Sequence, residues 1–166
     1  MTTPVGITPK IASEIQANLK QLETSAHALN KLSDDLTKKV AEIEDTINGL
    51  NLGVTANVQI ESWSDEEGTS SSRWRLAYGK QSGKWGFVIE YLFEDHLSYA
   101  NDEYSSWPFK DSPREQRIKA VEKIPQLLEA LVKTSSEVAE QISSKISYTE
   151  SLAATLLAAK PESTKK

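Results

Sequence analysis

Residues 73–95 read RWRLAYGKQSGKWGFVIEYLFED, and their alternation decides what kind of fold the chain can adopt. Trp74, Leu76 and Tyr78 alternate with Arg73, Arg75 and Ala77; beyond KQSG, the residues Trp85, Phe87, Ile89, Tyr91 and Phe93 repeat the pattern. A period of two sends alternate side chains to opposite faces of a strand. Two such runs joined by a short polar stretch containing glycine predict an antiparallel hairpin. A four-residue loop at 80–83 sets Tyr78 opposite Trp85, Leu76 opposite Phe87 and Trp74 opposite Ile89. It also sets Arg73 opposite Glu90, an ion pair worth less than about 1 kcal/mol if exposed.

The sheet extends to either side. Upstream, Val54, Ala56, Val58 and Ile60 alternate with Thr55, Asn57, Gln59 and Glu61, which predicts a half-buried strand. The stretch SDEEGTSSS then reads as a polar, acidic loop. Downstream, Leu97 and Tyr99 fit a short edge strand, and Trp107-Pro108-Phe109 pins the following loop onto the core. Eleven of the twelve aromatic residues lie between Trp63 and Phe109, and no glycine follows Gly86. Aromatic, glycine-bearing sequence at 54–111 is thus flanked by aliphatic, charged sequence, and the flanks read as helix.

The first flank predicts a helix over 9–50. Thr8 suits the N-cap and Pro9 the first helical position, where the amide proline lacks has no partner in any case. Ile15, Leu19, Leu22, Ala26, Leu29, Ser33, Leu36, Val40, Ile43, Ile47 and Leu50 occupy alternating d and a positions of five heptads, with Ser33 the polar exception. Such a helix is about 60 Å long. Asn48, Gly49, Asn51 and Gly53 supply its stop. The seam assignment predicts a loss of about 2–5 kcal/mol on replacing Leu29 or Leu36 by Ala.

The last flank predicts a helix over 113–158. Ser112, Pro113 and Glu115 have the spacing of a capping box. The apolar positions Ile118, Val121, Ile124, Leu128, Leu131, Val138, Ile142, Ile146, Ala153 and Leu156 run past Pro125, which predicts a kink there. Residues 161–166 read as a frayed tail. An antiparallel pairing of the two helices sets Leu22 against Ile146, Ala26 against Ile142 and Ser33 against Ser135. The resulting fold class is α+β in one domain. A long N-terminal helix, a three- or four-stranded antiparallel meander and a long C-terminal helix follow in order, the helices packing as a coiled-coil-like hairpin. In layout this resembles prefoldin subunits, in which two long helices emerge from a small β body; that resemblance implies a client- or peptide-holding role.

Composition excludes several chemistries. The chain has 166 residues, 38% hydrophobic and 26% charged, enough for a sizeable core. It has no cysteine and only two histidines, His27 and His96, so thiolate sites and a three-histidine metal site are excluded. Its net charge of -5 opposes general binding to phosphate backbones. No apolar run approaches a membrane span and MTTPVGITPK has no signal core, so a cytoplasmic location is the expectation.

Candidate sites are few. EYLFEDHLSYANDEY, at 90–104, combines His96 with several carboxylates and can be read as a cation or acid–base site, though it contains no established ligand spacing. An acidic surface loop is its simpler reading. His27 falls at a b position, beside the seam. No nucleophile elbow or phosphate loop is present, so no catalytic residue, cofactor or metal ligand is assigned. Arg73, Arg75, Lys80 and Lys84 lie among aromatic residues, but 51–112 carries five basic and ten acidic residues, which disfavours nucleic acid. The expected function is a non-enzymatic interaction or assembly module, such as an adaptor in a bacterial multi-protein system, with a second copy of itself as first partner. The candidate interaction residues are Trp63, Trp107, Leu29, Ser33 and Leu36. A metal-dependent protein or small enzyme using the 90–103 loop is the remaining alternative.

Overall fold

The computed structural model describes residues 8–158. It is an α+β structure: α1 (Pro9–Gly49), then β1 (Ala56–Ser64), β2 (Ser70–Gln81), β3 (Lys84–Asp95) and β4 (Glu103–Pro108), then α2 (Arg114–Val121) and α3 (Ile124–Ala158). Length alone suggests one domain; the contacts cluster in two compact units, meeting between Asp45 and Thr46. The expected tail at 161–166 lies outside the described residues.

The first unit is the body of α1. Its start is capped as the sequence predicts, the Thr8 hydroxyl accepting from the Ile11 N–H at 3.4 Å and the Thr8 carbonyl from the Ala12 N–H at 3.0 Å. Along the helix, Ile15, Leu19, Leu22 and Leu29 are exposed. Ser33, Leu36, Thr37, Val40 and Glu44 are half-buried or buried. These residues hold a positions (Ser33, Val40), e positions (Thr37, Glu44) and one d position (Leu36), whereas Ile43, the next d residue, is exposed.

In the second unit the four strands form a meander in the order β1-β2-β3-β4. The hairpin forms with its faces as predicted but with its register displaced by two residues. Tyr78 faces Phe87, Leu76 faces Ile89, Trp74 faces Tyr91 and Arg75 faces Glu90. The turn is only Ser82-Gly83, both with positive φ (49° and 84°). That left-handed pair matches the twist of a two-residue hairpin better than a four-residue loop does. Arg73 consequently pairs with Glu94, not Glu90. Gly83→Ala is expected to lose about 1 kcal/mol in denaturant unfolding through backbone strain alone, because nothing crowds the position.

Two further strand expectations change. The fourth strand is Glu103–Pro108, whereas Leu97 and Tyr99 lie exposed in the preceding loop. Asp95 causes this: its carboxylate accepts the Leu97 N–H at 2.9 Å and the Ser98 N–H at 3.2 Å, turning the chain out of the sheet. In β1 an irregularity at Ile60 shifts the pairing so that Glu61 lies opposite Trp74. Glu61, expected on the polar face, thereby joins the aromatic one.

Leu76, Tyr78, Phe87 and Ile89 form the buried centre of that face. The last turn of α1 docks there: Asn48 accepts from the Tyr78 hydroxyl at 2.7 Å and donates to the Trp85 carbonyl at 3.3 Å, with Ile47 buried beside it. Ala120 of α2 and Ile124, Leu127 and Leu131 of α3 complete the core.

The C-terminal flank is broken, not kinked. Proline lacks the N–H that would bond the Val121 carbonyl, and its ring crowds that carbonyl. Pro125 thus falls in the first turn of a new helix, where no such bond is required. The capping box is also absent. Pro113 precedes the first helical residue, and the buried Ser112 hydroxyl donates back to the Phe109 carbonyl at 2.8 Å. Glu115 instead pairs with Lys119 at 2.8 Å. The buried stripe runs through Gln116, Ala120, Ile124, Leu127 and Leu131, so Ile118 and Leu128 are exposed. From residue 139 to 158 every position of α3 is exposed. Burial thus marks Val40 and Ile47 on the α1 seam and Ile124 and Leu131 on the C-terminal one, and leaves the seam positions at 15–29 and 139–158 exposed.

Candidate interaction surfaces

Three features of the chain have the composition of a site. The first is the end of the sheet remote from the Ser82-Gly83 turn. Trp74 meets Tyr91 with ring centroids 4.8 Å apart and stacks on Trp107 at 5.8 Å and 24°. Trp74, Tyr91, Phe93 and Trp107 are all half-buried. Trp63, on edge strand β1, is 56% exposed. Of the two tryptophans expected at the surface, Trp63 is there and Trp107 is partly covered by its stack.

Acidic loops frame this end. Asp65 accepts the Thr69 N–H at 2.7 Å and the Ser70 N–H at 3.2 Å as well as both hydroxyls, and these bonds hold its carboxyl below the usual range. Asp95 is likewise lowered, first by the Asn101 amide at 2.7 Å and then by the Leu97 N–H. The Asp102 carboxylate accepts the Asp95 N–H at 2.8 Å, and the His96 N–H reaches the Thr69 carbonyl at 2.9 Å, joining the two loops. Glu90 accepts from the Tyr104 hydroxyl at 2.9 Å, and Glu94 is engaged by Arg73. Most carboxylates of the 90–103 segment are therefore structural. Among the described residues, no three histidine or carboxylate side chains converge as metal ligands would.

Glu61 couples this end to α2. Its carboxylate accepts from Gln116 at 2.6 Å and Lys119 at 2.7 Å, and Lys119 holds its pKa below the ordinary 4.5, with Gln116 adding to the effect. Lys119 is correspondingly raised by Glu115 and Glu61. The sign follows. A lowered carboxylate contributes stability that is complete above its unfolded value and is lost as pH falls through the folded one. Glu61→Gln is therefore expected to lose less stability than the wild type between pH 4.5 and lower pH. The difference should stay under about 1 kcal/mol, because both partners are more than a third exposed. Urea unfolding at several pH values reads it.

The second and third features are the helix seams. On α1, Ile15, Leu19, Leu22 and Leu29 form an exposed apolar line, and the expected contact residues Ser33 and Leu36 are half-buried at its end. On α3, an open recess is lined by Val138, Ile142, Ile146 and Ala153 of the apolar pattern together with polar and charged side chains such as Glu137, Lys145 and Glu150. No described helix is long and apolar enough to cross a membrane.

The alternation of VTANVQIE gives no sign of the bulge that brings Glu61 to the aromatic face. The unbroken pattern reads as one regular strand. Comparisons with protein-family models, with curated proteins and with solved structures find no match.

Proposed function

We propose that this chain is a non-enzymatic assembly module that self-associates through its long helices, as an adaptor within a larger protein system does. The observation that carries the reading is the exposed apolar line on α1, where Leu19 and Leu22 are each 65% exposed. Contiguous apolar surface of this kind is rare on monomeric soluble proteins and marks contact surfaces. A second copy of α1 is the best-fitting occupant. The a and d positions from Ile15 to Leu50 alternate steps of four and three without interruption, whereas Val138, Ile142 and Ile146 on α3 take two successive steps of four. Helices with the same period keep their seams together over several turns; a helix with a stutter locally unwinds from one without.

The absence of cysteine allows a direct test. Ala26→Cys, at an a position, should yield a disulfide-linked dimer on mild oxidation, because facing a positions bring Cβ atoms within bridging range in a parallel pair. His27→Cys, one position outside the seam, should not. Equal cross-linking of the two variants, or none in either, would remove a parallel pairing of α1. A client-holding module would differ in staying monomeric and binding unfolded chains.

A further inference from the structure

We infer that the aromatic end of the sheet is a docking surface for a basic segment of a partner protein, with Trp63 as its central contact. This surface is independent of the helix seams. It combines an aromatic floor with carboxylates left over from the loop structure. Asp65, Asp95 and Asp102 organise the two loops, and Glu94 pairs with Arg73. Glu66, Glu67 and Glu103 do neither: they are exposed, with no ion-pair partner among the described residues.

Their placement is specific. Glu103 lies opposite Phe93 on the aromatic side of the sheet, two residues outward from the Tyr91–Ser105 pair. Glu66 and Glu67 follow Trp63 in the loop that closes β1 onto β2. Glu66 and Glu67 thus share the β1–β2 hairpin with the exposed indole of Trp63, while Glu103 ends the same cross-strand row as Trp63, Ser72 and Phe93 on the opposite edge strand. An arginine or lysine laid on Trp63 gains from the ring's negative face and from the carboxylates together, while its aliphatic stem covers the ring. The same charges repel nucleic acid and acidic peptides, and this complementarity selects the class of partner. Large rigid aromatic rings such as the exposed Trp63 are also enriched at interface hot spots.

The test uses the intact chain and a short labelled peptide of alternating arginine and leucine, with its glutamate–leucine counterpart as control, read by fluorescence anisotropy. The basic peptide should bind and the acidic one should not, and added salt should weaken binding. Trp63→Ala should weaken it about tenfold, as expected of a central tryptophan, with the melting temperature unchanged. Trp63→Phe should retain most of it. Neutralising Glu66, Glu67 and Glu103 to Gln should remove most of the salt dependence. Equal binding of both peptides, wild-type affinity in Trp63→Ala, or loss of binding in seam variants such as Leu22→Glu would each overturn the inference. So would a change of molecular mass in Trp63→Ala, which would assign this surface to a second copy.

Discussion

Leu127→Ala is expected to reduce the free energy of unfolding by about 2–5 kcal/mol, the range for a leucine truncated in a packed core. Leu127 has no exposed surface, and it sits in the stripe of α3 shared with Ile124 and Leu131. Because the side chain is fully buried, the upper half of the range is the expectation. Leu76→Ala, from the opposite wall of the same core, should fall in the same range. Leu29→Ala should behave differently. The heptad pattern alone gives it the same penalty, but Leu29 is half exposed within its own chain. Its truncation should leave the unfolding free energy at high dilution within about 0.5 kcal/mol of wild type. Denaturant titrations at two protein concentrations separate the two classes, since only the Leu29 variant should lose a concentration-dependent component.

The second large effect concerns association. Leu22→Glu combined with Leu29→Glu places charge at two neighbouring d positions of the exposed line on α1. A pair of such helices would have to desolvate those carboxylates against each other, which costs several kcal/mol per unpaired ion. Association should weaken by at least about a hundredfold, the equivalent of 2.7 kcal/mol. The isolated chain should remain folded, with the melting transition of its sheet and short-helix core unchanged, because neither leucine contributes to that core. Dilution series in light scattering measure the first effect and calorimetry the second.

What the sequence made legible follows from which interactions are local. The alternation around Trp74 and Phe87 fixed the faces of the hairpin, because a period of two survives any even shift in register. The register itself depended on Ser82 adopting a positive φ, which nothing in KQSG demands. The heptads of α1 were equally plain, yet heptads report amphipathicity without reporting a partner. They cannot distinguish Val40, which is covered, from Leu22, which is not. The apolar spacing that continues across Pro125 predicts a kink within one helix. The missing hydrogen bond to Val121 outweighed that continuity and began a second helix. Trp63 was legible as a surface candidate from its polar neighbours in SWSD. The three uncommitted glutamates at the same end of the sheet were not, since their availability depends on Asp65, Asp95 and Arg73 satisfying the loops first.

Self-association through the helices is the claim on which the functional reading depends, and sedimentation equilibrium of the unmodified chain over a wide concentration range tests it most directly. The account predicts a weight-average mass near the monomer value of 18.4 kDa at the lowest concentrations, rising to a multiple of it as concentration increases. It also predicts that the Leu22→Glu/Leu29→Glu variant stays at the monomer mass throughout. A wild-type mass fixed at 18.4 kDa across the whole range would contradict it.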